Sequence, residues 1–191
     1  TISQAIKEYG NIAEESILQE LIQLENMGVW KYMDNNEIQN VIKQGAVLLP
    51  ATTIIKMKHN ANNEPERLKT RIAVCGNFEL QNDNIEYESP TTSIAIILLI
   101  LDYAAREKLK LSTIDITGAY LNGDAKTSHY MQLNKTISNI LVKYNLTLNK
   151  YLTPSKTLVV KLLKSLYGLR ESGRIWYELL SNTLVEYGLK R

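Results

Sequence analysis

Apolar residues recur at helical spacing near the start of the chain, where Ile17, Leu18, Leu21 and Leu24 share one face. Asn11, followed three residues later by Glu14, has the form of a helix start, and Gly28 is placed to close the helix. The pattern then becomes strand-like. Thr53 to Lys58 and Arg67 to Val74 flank the polar, turn-forming run His59-Asn60-Ala61-Asn62-Asn63, which predicts a hairpin with a long loop. Residues 86 to 93 predict a loop, and Ser93 to Glu107 a helix apolar around most of its circumference and expected to be buried. Leu109 to Ile116 alternates, with Leu109, Leu111, Thr113 and Asp115 facing one way, and predicts a strand. Leu158 to Leu163 reads as another strand. Ile175, Trp176, Leu179, Leu180, Thr183 and Tyr187 then return to helical spacing, with Gly188 as a stop. Asn134 to Pro154 carries no clear period and reads as a variable insertion. A hairpin mixed with helices and single strands predicts the α+β class rather than a doubly wound sheet.

Composition narrows this picture without changing it. With 191 residues and 45% apolar content, the chain can bury a sizeable core as one domain with a small second lobe. A formal charge of +2 excludes a strongly basic tail but leaves room for a local basic groove. One such groove is indicated: Lys56 and Lys58 share a face of the first hairpin strand, and Lys69 and Arg71 a face of the second. A single cysteine, Cys75, rules out an internal disulfide, and two histidines, His59 and His129, rule out a histidine-rich metal site. A carboxylate site for a hard cation stays open. The most apolar run, Ile94 to Leu101, is too short to span a bilayer, and nothing reads as a signal peptide, so an intracellular protein is expected. The chain opens on Thr1 rather than methionine, the expectation being a piece of a longer reading frame.

Two segments carry candidate chemistry. In Asp115-Ile116-Thr117-Gly118-Ala119-Tyr120-Leu121-Asn122-Gly123, a carboxylate precedes a glycine turn whose N–H groups could meet phosphate oxygens, and an aromatic ring follows. A strand-ending acid and a core tyrosine would explain the same residues. In Lys161 to Tyr177, a strand ends in the turn Tyr167-Gly168 and an amphipathic helix follows; a plain strand-to-helix turn is the competing reading.

Taken together, these segments resemble the reverse transcriptase domain of Ty1/copia-class retrotransposons. The family block Asp-Val-Lys-Ser-Ala-Phe-Leu-Asn-Gly is matched by Asp115 to Gly123. The block Leu-Lys-Lys-Ser-Leu-Tyr-Gly-Leu-Lys-Gln-Ala-Pro-Arg-x-Trp-Tyr is matched by Leu162 to Tyr177. The hairpin core Tyr-Lys-Ala-Arg-Leu-Val is matched by Leu68-Lys69-Thr70-Arg71-Ile72-Ala73, and the opening helix with Gly28-Val29-Trp30 is similar to the family's start.

The resemblance implies a fingers region over residues 1–90, with its basic hairpin at about 53–75, and a partial palm over 91–191. It implies a mixed or antiparallel sheet with packed helices, and RNA-directed DNA polymerisation by two-metal phosphoryl transfer with Mg2+. Asp115 would be the catalytic acid and a metal ligand, and the Ile116 carbonyl would touch a metal. Lys69 and Arg71 would hold the triphosphate, Gly118, Ala119 and Tyr120 would line the nucleotide, and Tyr167 and Gly168 would lie beneath it. Partners would be an RNA or DNA template–primer, deoxynucleotide triphosphates and the rest of a polyprotein (remaining palm, thumb and RNase H), with no membrane. The location would be cytoplasmic, in a virus-like particle, and nuclear.

Departures from the family pattern bear on these expectations. Gln-Ala-Pro is replaced by Glu171-Ser172-Gly173, which loosens the turn and sets a negative charge near a polyanion, and the hairpin exit Val74-Cys75-Gly76-Asn77 is less basic than in the family. The family's Tyr-Val-Asp-Asp block is not matched before Arg191, which predicts no activity for the chain alone; Tyr32-Met33-Asp34-Asn35 is a superficial likeness in the wrong place. The alternative is a non-catalytic, domesticated remnant that binds nucleic acid or protein. Whether the chain is an enzyme is therefore left open by its sequence.

Overall fold

The computed structural model describes residues 2–79 and 87–190. Two helices open it, α1 (Ile2–Tyr9) and α2 (Asn11–Asn26), followed by a short strand β1 (Trp30–Tyr32) and α3 (Asn35–Lys43). The long strands β2 (Leu48–His59) and β3 (Pro65–Val74) form the expected hairpin. After α4 (Ile94–Arg106) come β4 (Tyr130–Gln132), α5 (Lys135–Tyr144), β5 (Val159–Leu162) and α6 (Ser172–Glu186). Single 3-10 turns cover Gly76–Phe78, Ala119–Asn122 and Leu146–Tyr151.

The strands join one five-stranded mixed sheet in the order β1-β5-β4-β2-β3, with β2 and β4 parallel and the other neighbours antiparallel. This is the α+β architecture the sequence predicts. Ile17, Leu21 and Leu24 of α2 are fully buried against the sheet residues Leu49, Ile72 and Met131 and against Ile137 and Leu141 of α5. Each such side chain contributes about 1.5–3 kcal/mol on leaving water. Residues 134–154, expected to be an ill-defined insertion, instead supply core side chains from α5 and from Leu148.

α2 also covers the outer edge of β3. One turn apart on the helix, Ser16 donates its hydroxyl to the Leu68 carbonyl at 3.1 Å, and Glu20 accepts the Ile72 N–H at 3.4 Å. Groups that an edge strand would present to another chain are thereby partnered.

Two expectations are corrected. Leu109 to Ile116 forms no strand, and Ile114 is 87% exposed. Alternation describes a face, but a strand also needs a ladder partner, and no described strand lies alongside. The helix at 94–106 forms where expected, with the Ser93 hydroxyl accepting the Ile96 N–H, yet only Ala104 is buried. Its cap and helix-forming residues are local signals, whereas burial depends on what packs against it. The loop expected at 86–93 lies partly outside the described residues; from Tyr87 to Ser93 it has no regular structure. Asp34, in the segment that superficially resembles a catalytic block, caps α3: its carboxylate accepts the Glu37 N–H, and the Glu37 carboxylate accepts the Asp34 N–H.

Candidate functional site

The hairpin register places cations directly opposite cations. Lys56 faces Lys69, Lys58 faces Arg67, and Arg71 faces Ile54. Side chains alternate along each strand, so these five cations share one exposed face, while Leu68, Thr70 and Ile72 point to the buried side. Like charges directly opposed on a sheet destabilise it by up to about 1 kcal/mol per pair. No carboxylate lies within salt-bridge distance of these five groups among the described residues. Such a face suits a polyanion.

At its inner end the face meets two aromatic rings. The Arg71 guanidinium lies 5.3 Å from the centre of the Tyr167 ring, and the Tyr167 and Tyr120 rings are 5.4 Å apart at 57°. Burial pushes the Tyr167 hydroxyl above its ordinary value, with Arg71 opposing the shift. Burial likewise pushes the Glu20 carboxyl up, against the Ile72 N–H and the charges of Lys69 and Arg71.

Glycine makes both ring-bearing turns possible. Gly118 adopts φ 61° and opens the 3-10 turn that carries Ala119 and Tyr120; the Ser165 hydroxyl donates to the Tyr120 carbonyl and fastens this turn to the other. Gly168 has φ 93°, and a Cβ there would lie 1.9 Å from the Val74 carbonyl oxygen. A Cβ on Gly76 would lie 2.0 Å from the Gly168 oxygen, and the Val74 N–H donates to the Tyr167 carbonyl at 2.7 Å. The end of β3 and the turn at 167–168 therefore meet backbone to backbone, and this contact sets Tyr167 under Arg71.

Of the expected site residues, Lys69, Arg71, Tyr120 and Tyr167 are brought onto one surface, with Gly118 and Ala119 in the turn beneath Tyr120. Gly168 is packed against the backbone of β3's end. Asp115 and Ile116 sit in the segment without a ladder, and the Asp115 carboxylate is exposed. Among the described residues no group of three or more His, Cys, Asp or Glu side chains is arranged to hold a metal ion. One carboxylate does not by itself compose a two-metal site. The sequence reading passed over Glu20, Glu79 and His129 as site residues and took Glu171 only as a negative charge near a polyanion, not as part of a buried cluster. The only sequence signal for that cluster was the acid at 171 where a glutamine is usual.

A basic strand face ends on a guanidinium–aromatic contact, which sets positive charge beside two ring faces, groups chemically suited to phosphate and to planar bases. The comparisons agree with that chemistry. The family model for reverse transcriptase (RNA-dependent DNA polymerase) matches residues 36–191, and the chain belongs to that family, in its Ty1/copia class. It is similar to the retrovirus-related Pol polyprotein from transposon TNT 1-94 of Nicotiana tabacum, 27% identical over 166 residues covering 85% of this chain and 11% of that protein. It is also similar to the Pol polyprotein from transposon RE1 of Arabidopsis thaliana, 28% identical over 137 residues covering 71% of this chain and 8% of that protein. The chain thus spans about a tenth of the length of these relatives. No solved structure gives a significant match. Reverse transcriptases act on nucleic acids and use divalent metal. Among the described residues no helix is long and apolar enough to cross a membrane.

Proposed function

We propose that this chain is the nucleotide-binding part of an RNA-directed DNA polymerase, with residues 1–90 as fingers and 91–191 as the first part of the palm. The Arg71–Tyr167–Tyr120 stack carries this reading, because it assembles three distant segments into one phosphate- and base-sized surface. Lys69 and Arg71 hold the triphosphate of the incoming nucleotide, Arg71 through its two-pronged guanidinium. Tyr120, on the turn of Gly118 and Ala119, forms the wall against the sugar, and Tyr167 lies beneath the base. Lys56, Lys58 and Arg67, further out, face the phosphates of the template strand. Asp115 and the Ile116 carbonyl contribute to a Mg2+ site that needs further carboxylates, since one carboxylate does not compose a two-metal site. Magnesium there would supply charge neutralisation at the transferring phosphoryl group. In this reading the domain works as part of a polyprotein in a cytoplasmic virus-like particle and has access to the nucleus.

The test uses the full-length polymerase. Arg71→Ala should raise the Michaelis constant for nucleotide more than tenfold and leave template–primer affinity within about twofold, in keeping with the loss of one charge-assisted, bidentate contact. An unchanged constant would exclude Arg71 from the triphosphate site and remove the main support for this reading.

A further inference from the structure

Beside the Gly168 contact lies a cluster of charge that the proposed chemistry does not use. His129 sits just before β4, between two carboxylates from segments 92 residues apart in sequence, Glu79 and Glu171. Its Nε2 is 3.3 Å from the Glu171 carboxylate and 2.6 Å from the Thr127 hydroxyl, which itself lies 3.3 Å from the second Glu171 oxygen. Its Nδ1 is 3.8 Å from the Glu79 carboxylate. Glu79 also accepts the Arg170 N–H at 3.2 Å, and its carboxylate is 3.9 Å from the Arg170 guanidinium. The side chains of Glu171 and Glu79 are only 3% and 6% exposed. Among the described residues one Glu79 oxygen, Oε1, has no hydrogen-bond partner, and the His129 ring is the group facing it.

A buried carboxylate is tolerated only where donors replace the water it loses. For Glu171 those donors are identifiable. Burial pushes its carboxyl up, but the His129 ring and the N–H groups of Thr127 and Lys126 together hold it below the usual carboxylate range. The acid at 171, which the sequence suggested would repel a polyanion, is instead turned inward and hydrogen-bonded locally. The acid and the histidine face each other directly, so each loses a buried partner if the other is changed alone.

The position of the cluster gives it a task. Glu79 lies five residues beyond the end of β3, which carries Lys69 and Arg71. Glu171 lies four residues beyond Tyr167. The cluster therefore fastens the same two segments that meet at Gly76 and Gly168. We propose that His129 is a positioning residue of the nucleotide site, clipping the exit of β3 to the turn of Tyr167 through Glu79 and Glu171, so that Arg71 and Tyr167 stay in contact. The task rests on the nucleotide-site reading above; the pairing itself does not.

The experiment has two arms. In the 191-residue chain, thermal unfolding is compared for the parent, His129→Gln, Glu171→Gln and the double variant. His129→Gln should lower Tm by about 4–10 °C, the consequence of taking the ring, one of its donors, from a buried carboxylate. The double variant should recover to within about 2 °C of the parent, since two amides can bond to each other without buried charge. If Glu171→Gln fails to rescue, or His129→Gln leaves Tm unchanged, the pairing is wrong whatever the protein's function. In the full-length polymerase, assayed well below Tm, His129→Gln should raise the nucleotide Michaelis constant at least threefold with kcat within twofold, and the double variant should restore it. A purely structural clip would leave that constant unmoved. If it stays unmoved while Arg71→Ala raises it, the positioning role is overturned and the nucleotide site stands. If neither variant moves it, both readings fall together.

Discussion

The opposed cations of the hairpin make a prediction in which stability and binding move in opposite directions. Lys56 stands against Lys69 and Lys58 against Arg67, on a face with no carboxylate within salt-bridge distance among the described residues. Replacing Lys56 and Lys58 by glutamate converts two repulsive cross-strand pairs into two attractive ones. At about 0.2–1 kcal/mol per pair, the double variant gains roughly 0.5–2 kcal/mol of stability. For a chain of this size that is a rise of about 2–6 °C in Tm. Binding should respond the other way. Three cations, Lys56, Lys58 and Arg67, engaging three phosphates of a single strand give a log–log salt slope of about −2, so affinity falls roughly 20-fold between about 50 and about 200 mM salt. With Lys56 and Lys58 merely removed as alanines, one contact remains, the slope shrinks to about −0.7 and the same change of salt costs roughly threefold. Fluorescence anisotropy of a labelled homopolymeric single strand, titrated at several salt concentrations, reads the slope, and calorimetry reads Tm. If the glutamate variant is less stable than the parent, the repulsion is not present in solution. If the slope is unchanged in the alanine variant, the nucleic acid lies elsewhere.

Two further predictions follow from the turns and the buried acid. Gly168→Ala must place a Cβ 1.9 Å from a backbone oxygen at φ 93°, and should cost roughly 3–5 kcal/mol; Gly28→Ala, at φ 63° with open space around it, should cost only about 1–2 kcal/mol, so equal Tm losses would show that the 168 contact is not tight. Glu171 is held below the ordinary carboxylate range, so its contribution to stability is present above its unfolded value of about 4.3 and is lost as pH falls through the lower folded value. Glu20, raised by burial, acts with the opposite sign; because it is common to both proteins, the difference in stability between the parent and Glu171→Gln isolates the Glu171 effect, and that difference should shrink as pH falls below about 4.

What could be read from the sequence was local. The turn at Gly118 to Gly123 and the turn at Tyr167-Gly168 are marked by glycines that the backbone needs, and the hairpin is marked by its polar loop. The helix α2 was legible because four apolar side chains repeat at helical spacing; Ile17, Leu21 and Leu24 are buried and Leu18 is half-buried. The nine-residue helix α3 escaped because only Ile38 of it is buried, although the reciprocal Asp34 and Glu37 cap was present in the sequence. The strand β4 has three residues, too few for a period to show, and its identity is fixed by neighbours on both sides.

The errors share one cause, that periodicity reports a surface and not what meets it. Leu109 to Ile116 alternates as a strand does and finds no ladder; α4 is apolar as a core helix is and stays largely exposed among the described residues. The same reasoning explains why Glu171 was misjudged. As a change from glutamine to acid beside a basic site, it reads as repulsion. Its actual partner is 42 residues earlier, in a segment whose spacing has no reason to match. Only the fold, by closing Val74 onto Tyr167 and setting Glu79 beside them, brings acid, ring and acid into one row. A residue that departs from its family's usual type is therefore best judged by the groups that face it in this chain, and here they make the departure a component of the joint rather than a defect in the site.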